Sequence, residues 1–361
     1  MVPYPIIPVC TEQAASEDIV APVTIVACLD CGAILLRDVI EPSVLYQKFH
    51  NDAVGPTWSD HHDVFASLIL RRFSSGRLVE LGAGSGALVQ RLLAHPECKI
   101  EIEVIDPQYR GPTSNVTVHR QLLSDEVAER LKAQFDVFVS SHTLEHFVEF
   151  GSYFTLARKM LKDGGFIVTS VPNQEASFIC GAGNSMMWEH PTMCTNFHWM
   201  YLHHAHGFAI RHLKPFGKHS MMFVAEKQET PVHVEFGIDC ISYTKAMLND
   251  YTMAILNRKE LVLRTIDDAH DNWLFGAHFN AQALFAYGVN PNLFQGILDN
   301  SALKHGKRLY GTPLMCSKPG DVIMRNRPGK PLRVFVNLGV YNKEVCSQLK
   351  ALDDSIDLVE L

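Results

Sequence analysis

The stretch Arg77-Leu78-Val79-Glu80-Leu81-Gly82-Ala83-Gly84-Ser85-Gly86, continued by Ala87 to His95, decides the fold. An apolar run ends in an acid, a Gly-x-Gly-x-Gly turn follows, and a helical pattern begins. This order opens an α/β nucleotide-binding unit. Lacking a Cβ, Gly82, Gly84 and Gly86 permit a tight turn and a backbone approach to a ligand that side chains would block. The next apolar run, Ile100 to Ile105, ends in Asp106, followed by Pro107. A carboxylate at that strand end can accept hydrogen bonds from both ribose hydroxyls of an adenosyl group.

The glycines by themselves do not choose a cofactor, because Gly82-x-Gly84-x-x-Ala87 also fits a dinucleotide fingerprint. Three details favour S-adenosylmethionine. Glu80 stands just before the loop, where methyltransferases commonly carry an acid. Ser85-Gly86 gives the tight form of the turn, suited to a ligand without a pyrophosphate. The strands downstream follow the methyltransferase order. We therefore expect Glu80, Gly82, Ala83, Gly84, Gly86, Asp106 and Pro107 to hold S-adenosylmethionine.

The chain of 361 residues is long enough for two or three domains. Its 47% hydrophobic and 20% charged content suits a soluble globular protein. A formal charge of −7 argues against nonspecific binding to nucleic acid or anionic membranes. No apolar run approaches the roughly 20 residues that span a bilayer. Met1-Val2-Pro3-Tyr4-Pro5 has no basic region leading into an apolar core, so no secretion signal is expected. The cysteines, nine in number and dispersed, suit a reducing cytoplasm.

Three domains are expected. Residues 1–60 form a small module holding Cys10 and the pair Cys28-Leu29-Asp30-Cys31-Gly32. The Cys-x-x-Cys-Gly turn aims two thiolates at one point, as in zinc knuckles, so Cys10, Cys28 and Cys31 are candidate zinc ligands. A fourth ligand would be His50, His61 or His62; the alternatives are a metal-free knuckle or a plain turn.

Residues 61–228 form a doubly wound α/β domain. Its expected strands are Leu78 to Leu81, Ile100 to Ile105, Val116 to His119, Phe135 to Ser141 and Phe166 to Val171. A closing hairpin runs Phe208 to Phe216 and Met221 to Glu226. The expected fold is thus a class I methyltransferase, a Rossmann-like seven-stranded sheet ending in an antiparallel hairpin.

Residues 232–361 form a second, smaller Rossmann-like C-terminal domain. It opens with a helix over about Ile238 to Asp267. Strands end at Gly276, Asp299 and Asn337.

These residues resemble the three-part deoxysugar C-methyltransferases, which alkylate nucleotide-linked keto sugars. Val26 to Leu36 with Tyr46 is similar to that family's zinc module, and Val79 to Gly86 to its cofactor loop. Ser141-His142-Thr143-Leu144-Glu145-His146 resembles the segment after the fourth strand, which implies that Ser141, His142 and His146 line the cofactor pocket. Trp188-Glu189-His190 resembles the active-site Glu-His. Gly276 to Asn280, Leu298 to Ser301 and Lys304 to Lys307 resemble the C-terminal domain. The resemblance implies a nucleotide sugar as substrate, with Trp188, Asn280 and Lys307 as candidate contacts; Asn173 is a further candidate because it follows the fifth strand at the carboxyl edge of the sheet, and a monomer or homodimer is expected.

Carbon becomes nucleophilic when a proton is removed next to a carbonyl, so a base and enolate-stabilising donors are needed. His190 is the expected base, with Glu189 orienting it. The same pair would serve O- or N-methylation of another small metabolite. Further alternatives are a cofactor-binding scaffold without turnover and a nicotinamide oxidoreductase. Ser124 or Asp125 could face the adenine edge. His203 and His206 are read as a polar helix face.

Overall fold

The computed structural model describes residues 2–6, 10–45, 55–182, 187–230, 240–324 and 330–361. His50, Tyr46 and the expected helix start at Ile238 lie outside them.

The central layer is a seven-stranded sheet. Its strands are β1 (Ser75–Leu81), β2 (Lys99–Ile105), β3 (Val116–His119), β4 (Phe135–Ser141), β5 (Leu161–Pro172), β6 (Phe208–Phe216) and β7 (Ser220–Lys227). The spatial order is β6-β7-β5-β4-β1-β2-β3. β1 to β5 are parallel, whereas β7 runs antiparallel to both β5 and β6. The order reverses at β1, and that is where a doubly wound sheet opens a ligand crevice. The continuous apolar run of β4 reflects burial on both faces. Phe138 joins the cluster with Tyr153 and Phe223, while Val137 and Val139 join the cluster with Phe65 and Leu92.

The helices that flank this sheet are α1 (Pro56–Leu70), α2 (Ala87–Ala94), α3 (Asp125–Arg130), α4 (Phe150–Met160), α5 (Gln174–Ile179) and α6 (Asn196–Ala205). Proline at the first position of α1 matches its fixed φ and missing donor to a helix start. The long helix α7 (Cys240–Thr265) then leads into the C-terminal unit.

That unit has a five-stranded parallel sheet of β8 (Asp271–Phe275), β9 (Gly296–Leu298), β10 (Cys316–Ser317), β11 (Leu332–Val336) and β12 (Asp357–Glu360). The order is β10-β9-β8-β11-β12, so it too is doubly wound, with its reversal at β8. Its helices are α8 (Phe279–Ala286), α9 (Pro319–Ile323) and α10 (Asn342–Leu352).

The N-terminal 45 residues do not stand apart as the expected small module. Val2–Pro5 pairs with Val20–Val23, and the hairpin of Ile25–Ala27 and Ile34–Leu36 takes Thr192–Met193 as a third strand. Cys10–Thr11 pairs with Arg308–Leu309 of the C-terminal unit. Tyr4, Ile6, Ile34 and Leu36 share one buried cluster with Phe178, Trp188, Met247, Tyr251 and Ala283. An N-terminal segment with this much apolar surface needs both larger units to bury it. Among the described residues no helix is long and apolar enough to cross a membrane.

Candidate functional site

The glycine turn between β1 and α2 is left-handed at Gly82, Gly84 and Gly86, with φ of +71°, +53° and +72°. Asp106, at the end of β2, accepts hydrogen bonds from the amides of Gly84 and Gln108, each at 2.7 Å. The loop is therefore set by its own chain. A Cβ on Gly84 would meet nothing within 4 Å, so this side of the turn is open. Glu80 is buried in β1, and burial, then the charge of Asp106, pushes its carboxyl up to about 8. Its Oε2 has no hydrogen-bond partner, and neither does the buried Ser141 Oγ at the end of β4. Buried polar atoms are ordinarily paired. Unpaired polar oxygens beside an open glycine turn suit a ligand with polar groups of its own, such as ribose hydroxyls.

A cavity of about 210 Å³ lies where the carboxyl ends of the two sheets face each other. His142, Glu145, His146, Glu189, His190 and His219 line one wall. Phe275, His278, Asn280, Asp299, Lys304 and Tyr341 line the other. Two contacts tie the walls together. Glu344 accepts from Thr57 at the start of α1, at 2.7 Å from the hydroxyl and 3.2 Å from the amide. The Trp58 ring N–H donates to the Tyr341 hydroxyl.

His190 is buried, and its ring centroid is 4.9 Å from that of His146. His146 Nδ1 donates to the Glu189 carbonyl at 2.9 Å. Beneath them sits Glu145. Burial alone would raise its carboxyl, but the hydrogen bond from His142 and the nearness of His146 and His190 hold it below the usual range. An ionised carboxylate next to two imidazoles can balance a proton arriving on either ring. On the opposite wall Asp299 accepts from Lys304 at 2.9 Å and from the amides of Ala277 and Ser301, both at 2.9 Å. Burial, then Lys304, takes His278 down to about 3, so that imidazole is neutral at pH 7.

Residues 58–227 match the family described as "Methyltransferase domain". They form a class I S-adenosylmethionine-dependent methyltransferase domain. Two curated relatives from strains of Cereibacter sphaeroides, each a ubiquinone biosynthesis O-methyltransferase, are 27% identical over 130 residues. The match covers 32% of this chain, and the chain spans about half, 51%, of each relative's length. A solved S-adenosylmethionine-dependent methyltransferase from Mesorhizobium loti is 17% identical, covering 47% of this chain and all of its own, with a TM-score of 0.36. The CurJ carbon methyltransferase is 15% identical, covering 46% of this chain and 54% of its own, with a TM-score of 0.36.

In the methyltransferase domain, Gly82, Ala83, Gly84, Gly86 and Glu80 surround the turn and Asp106 pins it, with Pro107 exposed beyond. His142, His146, Glu189 and His190 come together at the cavity, as does Asn280 from the C-terminal unit. Other expected contacts do not. Asn173 caps α5 by accepting from the Ala176 amide and donates to the Gly217 carbonyl. Trp188 turns into the apolar cluster with Tyr251, because its neighbours Met187 and Glu189 take the cavity side. Lys307 faces Glu12 at 3.7 Å, and Lys304, one turn earlier, reaches the cavity instead.

The three expected zinc ligands are split. Cys10 is buried beside Cys316, with which it hydrogen-bonds, in the core of the C-terminal unit. Cys28 and Cys31 close the tip of the N-terminal hairpin, where the Gly32 amide donates to the Cys28 carbonyl. No group of three convergent ligands including a cysteine occurs among the described residues.

Ser124 caps α3 and Asp125 pairs with Lys159 at 3.0 Å. His203 is fully buried, bonded to the Trp199 carbonyl and Thr169, so α6 does not offer it as a polar face. Trp58, His219 and Tyr341 were not singled out from sequence, and His278 and Lys304 stood only within the stretches that resemble the C-terminal domain. The one available hint was Lys218-His219-Ser220, a polar triplet interrupting the apolar pattern just before β7.

Proposed function

We propose that the cavity methylates carbon next to the carbonyl of a nucleotide-linked keto-deoxysugar, with His190 as base. The observation that carries this reading is His190 itself, set with Glu145 and His146 on one wall of a cavity whose other wall comes from a second doubly wound unit. Bound S-adenosylmethionine supplies an electrophilic methyl group on a sulfonium. His190 takes the proton from carbon, and the freed electron pair moves toward the carbonyl oxygen. Glu145 balances the imidazolium, and Glu189 fixes the neighbouring His146 through its carbonyl. Lys304 and Asn280 lie on the far wall, where donors would meet a developing oxyanion. The volume suits a single sugar ring and leaves the nucleotide to follow the rim, where Lys218 is exposed.

O-methylation is the second reading, supported by the naming of the curated relatives. Proton exchange separates the two. The protein is incubated in D₂O with S-adenosylhomocysteine and a nucleoside-diphosphate 4-keto-deoxysugar, and exchange beside the carbonyl is followed by NMR. Exchange that falls by about 100-fold in His190→Asn supports C-methylation and the base. Undiminished exchange in that variant removes His190 from the role. Absence of exchange together with methyl on oxygen in the turnover product moves the assignment to O-methylation.

A further inference from the structure

We propose that His61, His142 and His219 form a binding site for a divalent transition cation of the zinc class at the edge of the acceptor cavity. Each comes from a different element: α1, the loop after β4, and the turn before β7. One ring nitrogen from each lies within 4.8 Å of one from both others. The ring centroids form a nearly equilateral triangle with sides of 5.1, 5.2 and 5.3 Å. A tetrahedral ion with nitrogen ligands at about 2.0–2.1 Å places its ligand rings roughly 5.2 Å apart. The spacing is therefore that of a three-histidine site with one position left over, and two of the rings, His142 and His219, border the cavity.

The surrounding contacts fit ligands rather than inert packing. His61 is completely buried and its Nδ1 has no partner. Ser220 Oγ meets both His142 Nε2, at 2.8 Å, and His219 Nδ1, so one hydroxyl holds two of the rings in place. Ser170 Oγ meets His61 Nε2 at 2.9 Å. Glu145 Oε1 lies 3.4 Å from His142 Nδ1, an outer carboxylate of the kind that fixes the tautomer of a ligating histidine. His142 holds this position at a φ of +51°, rare for a residue with a side chain and characteristic of functional sites. Trp58 closes the outer side, with its ring 4.5 Å from His219 and 4.8 Å from His142. Imidazole ligands without thiolate suit zinc, nickel, copper or ferrous iron more than magnesium or calcium. If the cavity holds a carbonyl acceptor, as proposed above, the fourth position would take its oxygen.

Metal binding tests this without any turnover. Protein stripped with chelator is titrated calorimetrically with zinc chloride, and with cobalt chloride while its visible spectrum is recorded. One equivalent of zinc and a cobalt ligand-field band, with no thiolate charge-transfer band, are expected. His142→Asn keeps a residue that tolerates the left-handed backbone. It should weaken zinc by more than the about 10–100-fold that loss of an outer partner costs, while circular dichroism shows the stripped variant folded. His219→Ala should behave alike, and Cys28→Ser should bind as wild type. No uptake from a several-fold excess of zinc overturns the site. So does binding unchanged in both histidine variants, or a thiolate band that Cys28→Ser abolishes.

Discussion

Glu80 shows what burial does to a single residue beside the glycine turn. Its carboxyl titrates near 8 in the folded chain, against 4.5 as its ordinary value. The folded state thus binds one more proton than the unfolded state between those values, and stability falls as pH rises through that window. Glu80→Gln removes the charge at every pH. It should match wild type near pH 4 and be more stable by roughly 5 kcal/mol at pH 9. Urea denaturation at both pH values checks this, and parallel behaviour of the two proteins would sink it. At this scale the glycine turn was legible as a turn because a left-handed Gly-x-Gly-x-Gly run and its flanking acids are adjacent in sequence. The acceptor contacts were not. Lys304 and Lys307 stand three residues apart in one polar stretch, and only the fold decides which returns to Asp299 and which meets Glu12. Trp188 and Asn173 failed for the same reason, one claimed by an apolar cluster and the other by a helix end.

Among the elements, the hairpin tip Cys28 to Gly32 was readable as a tight turn but not in its purpose. Gly32 has a φ of +70°, and a Cβ there would lie 2.5 Å from the Cys240 carbonyl oxygen and 2.7 Å from its Cβ. The tip docks on the first turn of α7, where Thr244 donates its hydroxyl to the Gly32 carbonyl. His198 Nε2 of α6 donates to the Cys31 carbonyl at 2.8 Å. Gly32→Ala meets both backbone strain and an unyielding neighbour, so it should cost about 2–4 kcal/mol, read as a lowered denaturant midpoint. A midpoint within error of wild type would mean that the hairpin docks loosely. The inner parallel strands of both sheets were legible because burial on two faces leaves continuous apolar runs, whereas the edge strand Asp357–Glu360, only half-buried, was not. The two-residue strands Cys10–Thr11, Thr192–Met193 and Cys316–Ser317 carry no pattern of their own, since each exists only through its partner.

For the whole molecule, the N-terminal segment packs against both larger units. Asp18 makes a two-pronged pair with Arg308, at 2.6 and 2.8 Å, and also accepts from the Gly311 amide at 2.7 Å. The Asp18 side chain is 5% exposed and that of Arg308 11%. Removing one partner of a buried pair leaves the other charge without compensation, which costs about 3–5 kcal/mol. Asp18→Ala should therefore lower the melting temperature. Below that temperature it should bind S-adenosylhomocysteine like wild type, because the glycine turn belongs to residues 58–227 and Asp18 touches none of it. Calorimetric melting and titration read the two properties separately. An unchanged melting temperature would mean that the segment does not tie the C-terminal unit in place. A lost cofactor affinity in a still-folded variant would mean that the tie extends to the methyltransferase domain as well.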